Sequence, residues 1–407
     1  MTGSAQVIRA DARNLPIADD SVDLVVTSPP YFALRSYQDG GEHYEGQIGS
    51  EPTPAEFIDA LLEVTRECVR VLKPSGSLWL NLGDKYANGG RTSYDTTDIN
   101  GARGGVRTPD GFRPKTLLGM PWRYAIRCID DLGLILRAEV IWSKPNGLPE
   151  SVTDRVRRSH EQWFHLTLNP RYYSAVDEVR EPHAPASLAR YSQGDPIGGV
   201  RERRAHVSVS GGATPFTEAN PLGKLPGSVW TIPTEPLQVP EHLGIDHFAA
   251  FPTEWPRRII QGWSPAGVCV ECGEGRRPVG VTVSIPTQAT HNGYNRRAAS
   301  AVSGGRIDAL PKRGETTITG YACACPEPTA PTTPGVVLDP FGGTGTTAMV
   351  AKALGRHGIS VDMSADYCRL AEWRTNDPKQ LAKAARKPFT PSEKPMDGQL
   401  DLLEGIA

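Results

Sequence analysis

A short apolar run in the last fifth of the chain passes through a glycine-rich turn directly into a helix. Residues 335–339 (GVVLD) have the composition of a buried strand, and residues 340–347 (PFGGTGTT) form the turn. The glycines of this turn are Gly342, Gly343 and Gly345. They permit positive φ and a close approach of the backbone to a ligand, and the helix predicted from about Thr346 offers N–H groups without helical partners. The unit predicts an α/β fold with a nucleotide-type site at the turn.

The spacing of the glycines separates this turn from two common phosphate-binding sites. A P-loop would close with Gly-Lys-Ser/Thr, and a dinucleotide site would read G-x-G-x-x-G; the turn matches neither. Asp339, at the end of the strand, is predicted to accept a hydrogen bond from a ligand ammonium group. Asp362 ends the next predicted strand, residues 358–362, where a carboxylate can hold both hydroxyls of a ribose.

Short apolar runs and helical periodicities alternate through the first third of the chain. Strands are predicted at residues 6–8, 21–26, 77–82 and 134–142, and helices at residues 54–72 and 121–131. This alternation predicts crossover units and a parallel sheet. Residues 88–116, 180–228 and 273–322 show little periodicity and are interpreted as loops.

A second motif, Thr27-Ser-Pro-Pro-Tyr31, follows the second predicted strand. Open α/β sheets bind ligands beyond the carboxyl ends of their strands, so this position belongs to the predicted site. Pro29 and Pro30 fix φ and remove two N–H donors, which leaves rigid carbonyls. One such carbonyl and the Ser28 hydroxyl give two acceptors for one amino group, and Tyr31 offers a flat face on which a base can stack.

Four of the seven cysteines form two close pairs, Cys269/Cys272 and Cys323/Cys325. The first residues carry no basic-then-apolar secretion pattern, which predicts a cytoplasmic protein in which metal binding is more common than disulfides. Thiolate pairs at these spacings fit a tetrahedral, structural zinc site. Because the 50 residues between the pairs exceed the usual linker, close pairing without a metal stays open.

The net charge of the 407 residues is −2, so any contact with nucleic acid requires locally concentrated cations. Residues 276–313 contain seven Lys and Arg against one acid, Asp308. This segment is interpreted either as a phosphate-contacting surface or as a solvated loop. No run of 18 apolar residues exists, so no membrane span is predicted.

The two motifs, in this order, resemble those of the amino-group DNA methyltransferases. Residues 28–31 (SPPY) are similar to the catalytic motif of that family, and residues 339–347 to its cofactor motif. Because the catalytic motif comes first, the chain resembles the circularly permuted β group. The similarity extends over roughly residues 5–180 and 240–375.

The resemblance implies a Rossmann-like class I methyltransferase sheet with helices on both faces, and S-adenosylmethionine as the methyl donor. Asp11 matches the position that contacts the cofactor adenine, and residues 247–252 (HFAAFP) look like the motif that leads into a helix beside the cofactor. The implied cofactor-binding residues are Asp11, Phe251, Asp339, Phe341, Gly342, Gly343, Gly345, Thr346, Thr347 and Asp362.

The implied reaction is an in-line transfer of a methyl group to an exocyclic amine of a base flipped out of duplex DNA. The catalytic residues would be Ser28, Pro29, Pro30 and Tyr31. Serine at the first position is typical of enzymes that methylate cytosine N4. Methylation of adenine N6 is the alternative, and a catalytically dead DNA-binding protein is a remote one. Cytosine C5 chemistry would need Pro-Cys, whereas the chain has only the reverse order, Cys325-Pro326.

The order of these motifs predicts the organisation of the chain. A catalytic half (1–180) is followed by a loop-rich target-recognition region (181–240), a core helix region (241–268), a basic, zinc-ribbon-like insert between the cysteine pairs (269–325), a cofactor-binding half (334–375) and a tail (376–407).

Double-stranded DNA is the expected partner, with a cognate restriction endonuclease as a further candidate and a monomer or homodimer as the assembly. The arginines at positions 155, 157 and 158 are candidates to contact the DNA backbone. His160 and Glu161 are interpreted as packing residues without a catalytic role.

Overall fold

The computed structural model describes residues 3–32, 38–39, 42–43, 46–87, 111–147, 149–187, 220, 222–245, 251–285, 313–326 and 329–388. Within them the strands are β1 (Ser4–Arg9), β2 (Val22–Thr27), β3 (Gln38–Asp39), β4 (Glu42–His43), β5 (Leu72–Leu82), β6 (Ile135–Ser143), β7 (His160–Thr167), β8 (Val229–Thr231), β9 (Val268–Cys269), β10 (Arg277–Ile285), β11 (Arg313–Ala322), β12 (Thr332–Thr333), β13 (Val336–Asp339) and β14 (His357–Asp362).

The helices in the same residues are α1 (Pro54–Val71), α2 (Met120–Asp130), α3 (Glu254–Trp263), α4 (Thr346–Ala353), α5 (Ala365–Asn376) and α6 (Pro378–Ala384). α1 begins where its sequence predicts. The side chain of Thr53 accepts from the Glu56 N–H, Glu56 in turn accepts from the Thr53 N–H, and Pro54 occupies the first turn.

Eight strands form one sheet in the order β1-β14-β13-β2-β5-β7-β6-β8. β1, β14, β13, β2 and β5 run parallel, as predicted. The parallel arrangement does not extend to β7, which pairs antiparallel with both β5 and β6. Residues 163–167 of β7 are all buried, and such a run carries no signal of strand direction.

Each face of the sheet packs against helices, as expected for the class I methyltransferase fold. All six residues of β2 are buried, with Val25 on one face and Leu24 and Val26 on the other. The first face packs against α1 and α2. The second packs against α3 and α4, and its core is rich in indole rings, including Trp79, Trp142, Trp163, Trp230 and Trp255.

Two regions interpreted as loop-rich contain regular structure. β10 and β11 pair as an antiparallel hairpin within the predicted insert. β8, in the predicted target-recognition region, is the edge strand beside β6, and its Trp230 is buried. α6, at the start of the predicted tail, packs into the second face through Ala384. No helix in the described part of the chain is long and apolar enough to span a membrane.

Candidate active site

Loops that follow β1, β2, β13 and β14 surround one cleft at the carboxyl edge of the parallel strands. The empty space within it is about 820 Å³, a volume that includes the open solvent at its mouth. Predicted site residues from both ends of the chain line it: Asp11, Ser28, Pro30, Phe341, Gly343 and Asp362. The structure therefore brings the two sequence motifs together at the place where an open α/β sheet binds ligands.

Asp339 joins the two motifs. Its Oδ1 accepts from the Thr27 hydroxyl at 2.7 Å and from the Phe341 N–H at 3.1 Å, and its Oδ2 accepts from the Thr347 hydroxyl at 2.8 Å. The side chain is 1% exposed, and burial raises the pKa of its carboxyl to about 6 despite these hydrogen bonds. Asp339 thus ties together β2, β13 and α4. It does not line the cleft, so the predicted contact with a ligand ammonium stays a prediction.

The glycine-rich turn is shaped mainly by the protein behind it. A Cβ on Gly342 would lie 1.9 Å from the Ser360 hydroxyl, and Gly345 has φ +71° at the N-cap of α4. Thr346 and Thr347 are buried on the inner side of the turn. Of the three glycines, only Gly343, with φ +49°, borders the cleft, and a Cβ there would come no closer than 3.9 Å to another residue, at the Phe341 carbonyl.

Two acidic side chains stand at the cleft. The Asp362 carboxylate accepts from the Gly343 N–H and the Ser364 N–H, each at 2.9 Å, which anchors it at the rim. Asp11 forms an ion pair with Arg13 at 2.7 Å. Burial opposes ionisation of Asp11, but the hydrogen bonds from Arg13 outweigh it and lower the pKa of the carboxyl.

The catalytic motif is held by a polar network on β5 and β7. The Ser28 hydroxyl points to Asn81 Oδ1 at 3.3 Å. The Tyr31 hydroxyl lies 2.7 Å from the same oxygen and 2.8 Å from Glu161 Oε2. The Asn81 amide is oriented by donating to the Gln162 carbonyl at 3.0 Å, and Glu161 forms an ion pair with Lys144.

This network sets the direction of the Ser28 hydrogen. Because the hydroxyl donates to Asn81, its oxygen lone pairs remain available as acceptors, and Ser28 lines the cleft. A hydroxyl oriented in this way is an acceptor for a ligand amino group. The arrangement fits the role predicted for Ser28 from the sequence.

Sequence reasoning missed Asn81, Lys144 and Glu161. The interpretation of Glu161 as a packing residue is wrong, since its carboxylate contacts the Tyr31 hydroxyl. The rule applied to the sequence seeks site residues where parallel strands end. β7 runs the other way, so its first residues reach the same edge as the ends of β5 and β6.

Some predicted site residues lie elsewhere. The ring of Phe251 packs edge-on against Trp163 at 5.8 Å on the second face of the sheet and does not line the cleft. Most of the motif at 247–252 lies outside the described residues.

The three candidate arginines have local partners. Arg158 lies 3.7 Å from Asp84, while Arg155 binds Glu150 and covers the Tyr86 ring at 3.8 Å. Arg157 donates to the Gly147 carbonyl at 3.0 Å and is the exposed member of the group.

The four predicted zinc ligands also come together. The sulfur atoms of Cys269, Cys272, Cys323 and Cys325 all lie within 4.8 Å of one another, although 50 residues separate the pairs.

Comparisons with known proteins agree with this geometry. A profile of the N6/N4 family described as "DNA methylase" matches residues 22–270 and 330–373. Type II methyltransferase M.SmaI of Serratia marcescens is 32% identical over 376 residues, 91% of this chain and 90% of the relative. Type II methyltransferase M.Cfr9I of Citrobacter freundii is 36% identical over 273 residues, 66% of this chain and 75% of the relative.

A solved structure shares the fold. The PvuII DNA methyltransferase (cytosine-N4-specific) superposes with a TM-score of 0.51 at 17% identity, over 95% of this chain and 92% of that chain.

Proposed function

Because the chain belongs to the N6/N4 family of DNA methylases, we propose that it transfers a methyl group from S-adenosylmethionine to the N4 amino group of cytosine in duplex DNA. The observation that carries this proposal is the contact between the two motifs. Thr27 and Thr347 both bind Asp339, so Ser28 and the glycine-rich turn share one cleft. An acceptor for an amino group therefore stands beside a nucleotide-type pocket.

The cleft fits the proposed donor. Asp362 presents a carboxylate at the rim for the ribose hydroxyls, and Gly343 leaves room for close approach. Asp11 and Phe341 also line the cleft and would contact the adenine ring. When bound, S-adenosylmethionine supplies an electrophilic methyl group on a positively charged sulfur.

The protein's own contribution is placement and hydrogen bonding. An exocyclic amine is a weak nucleophile because its lone pair is delocalised into the ring. Ser28 Oγ and the Pro29 carbonyl would accept the two amino hydrogens and favour a pyramidal nitrogen. Tyr31 would stack against the flipped base, and holding both reactants in line supplies much of the remaining acceleration.

Serine in place of an acidic or amide side chain favours cytosine as the target. A hydroxyl held by Asn81 is an uncharged acceptor that suits one amino group. Adenine N6 carries the same type of amine and is the alternative. The two targets leave different products, N4-methylcytosine and N6-methyladenine.

The decisive experiment is transfer of tritiated methyl from S-adenosylmethionine to DNA, followed by identification of the modified base. We expect labelled N4-methylcytosine. Labelled N6-methyladenine would overturn the choice of base, and absence of label in any base with bound cofactor would overturn the proposed activity.

Two variants separate the roles of the motifs. Ser28→Ala should lower the transfer rate on the order of 10²-fold or more and leave cofactor affinity unchanged, because it removes one acceptor at the reacting nitrogen. Asp362→Asn should instead weaken cofactor binding, measured by calorimetry. The reverse pattern would show that the roles assigned to the two motifs are the wrong way round.

We further propose that the enzyme protects DNA against a cognate restriction endonuclease, as the Type II names of its relatives suggest. Because it would act on DNA, the expected location of the enzyme is the cytoplasm. Methylated DNA should resist cleavage by an endonuclease of the same recognition sequence, whereas DNA exposed to the Ser28→Ala variant should be cut.

A further inference from the structure

The insert that separates the two halves of the family match is held by four cysteines. The family profile stops at residue 270 and resumes at residue 330. Cys269 lies just before this gap, and Cys272, Cys323 and Cys325 lie inside it near its ends. We propose that these four cysteines bind one structural zinc ion, which closes the base of the inserted β10–β11 hairpin. The proposal is independent of the target base.

The sulfur geometry fits a tetrahedral metal. Zn–S bonds of about 2.3 Å place the four sulfurs roughly 3.8 Å apart. Cys269 Sγ and Cys325 Sγ are 3.9 Å apart, and all four lie within 4.8 Å of one another. Small rotations of the side chains would therefore complete the site without movement of the backbone.

The backbone around the first pair forms a tight turn. The Gly273 N–H donates to the Cys269 carbonyl at 2.9 Å, with Gly273 at φ +70°. This tight turn brings Cys272 back beside Cys269, so that their sulfurs lie within 4.8 Å of those of the second pair.

A cation balances the charge of the site. Four thiolates and Zn²⁺ carry a net charge of −2. The Arg276 guanidinium lies near the sulfurs of Cys269 and Cys323, and it donates to the Ala330 carbonyl at 2.6 Å. Outer contacts of this kind orient ligands and offset their charge.

The cluster lies at the amino ends of the parallel strands, whereas the candidate active site lies at their carboxyl ends. β9 pairs with β12, and Gly335, which leads from β12 into β13, packs against Pro265 at the amino end of β13. The hairpin base also contacts Tyr173, whose N–H donates to the Ser75 carbonyl near the start of β5. The reacting groups lie at the other ends of these strands, a separation of roughly 20 Å at 3.3 Å per residue.

This position gives the zinc a mechanical role. The zinc links Cys272 to Cys323 and so closes a loop of about 50 residues. Loss of the metal therefore increases the conformational entropy of this loop. Loss of the metal should loosen the hairpin and leave the cofactor site intact.

The test begins with the wild-type protein purified without added metal. Elemental analysis should give one zinc per chain, and the Cys272→Ser/Cys323→Ser double variant should give almost none. Cys128→Ala, which removes a buried cysteine between α1 and α2, should keep its zinc. Limited proteolysis should cut the double variant within residues 271–329, while its affinity for S-adenosylmethionine should stay unchanged.

If the double variant does not fold, the proposal can still be tested by titrating cobalt into wild-type protein from which a chelator has removed the metal. One equivalent of Co²⁺ should produce the visible bands of a tetrahedral thiolate site, and added zinc should bleach them. Four reactive thiols with no bound metal, a disulfide between any two of the four, or an iron-sulfur cluster in place of zinc would each overturn the proposal.

Discussion

One phenolic hydrogen serves two acceptors at the catalytic motif. The Tyr31 oxygen lies within hydrogen-bond distance of both Asn81 and Glu161. A phenol donates a single hydrogen, so the two acceptors share it. Lys144, which also lies 4.0 Å from the centre of the Trp142 ring, holds Glu161 from the other side. The position of the Tyr31 ring therefore depends on a charged pair as well as on packing.

We predict that Glu161→Gln lowers the rate of methyl transfer about tenfold, because hydrogen bonds to charged groups contribute about 1.5–3 kcal/mol. Glu161 is a positioning residue here, so cofactor affinity should not change. The measurement is single-turnover transfer together with calorimetry. Glu139→Gln on β6, whose carboxylate binds only the edge of Trp122 among the contacts described, is the matched control. Equal rates of methyl transfer in the two variants would show that Glu161 does not contribute to the reaction.

Gly83 supports the other side of the Tyr31 ring. A Cβ on Gly83 would lie 2.6 Å from Tyr31 Cε2. Gly83→Ala should therefore displace the ring and lower transfer severalfold or more, with cofactor affinity preserved. Gly227→Ala is the control, because open space surrounds that position. Wild-type activity in Gly83→Ala would show that the exact placement of Tyr31 is unimportant.

At the scale of elements, the site depends on the joint between β2, β13 and α4. The Asp339 carboxyl is buried within this joint, and burial raises its pKa from about 3.8 to about 6. The folded protein therefore binds this proton more tightly than the unfolded chain. The resulting stabilisation is fully present below about pH 4 and is lost as the pH rises through about 6.

Asp339→Asn should remove this pH dependence. The free energy of unfolding of the wild type, relative to the variant, should fall by about 2 kcal/mol between pH 4 and pH 7, which is most of the effect of the shift at roughly 1.36 kcal/mol per pKa unit. Urea unfolding at several pH values measures it. Thr27→Val removes a hydrogen bond that lowers the pKa, so its loss of stability should extend to higher pH. A difference that does not vary with pH would contradict the assignment.

Regular elements were predictable where the pattern was local. The boundaries of α1 follow from its apolar spacing and the Thr53 cap, and the buried β2 run reads as a strand. The hairpin was also visible in principle, because Val279, Val281 and Val283 alternate with smaller residues in β10. The alternation was overlooked because the whole segment from residue 273 to residue 322 has the composition of a loop.

At the scale of the whole molecule, the net charge of −2 means that DNA must meet a local cationic surface. Arg158 and Arg155 are engaged with Asp84 and Glu150. Arg157, in the loop between β6 and β7, is exposed and donates only to a backbone carbonyl, that of Gly147, among the contacts described, and it lies at the same end of the strands as Ser28. It is the best placed of the three to approach a phosphate.

Arg157→Ala should weaken DNA binding equally for all sequences. One lost phosphate contact should reduce the slope of log K against log salt concentration by about 1. Binding isotherms at several salt concentrations measure this slope. Arg127→Ala on α2, whose guanidinium pairs with Asp59 and Asp131, serves as the control. An unchanged slope would show that Arg157 does not contact the backbone.

The sequence by itself determined the chemistry-bearing turns, because a Ser-Pro-Pro-Tyr turn and a glycine-rich turn need only the residues that form them. Their meeting through Asp339 required the chain to fold, since Thr27 and Asp339 are 312 residues apart. The direction of β7 was likewise a tertiary outcome: strand pairing brought Glu161 to Tyr31. No local pattern encodes which strand a segment will pair with or in which direction, because that choice depends on the packing of the whole sheet.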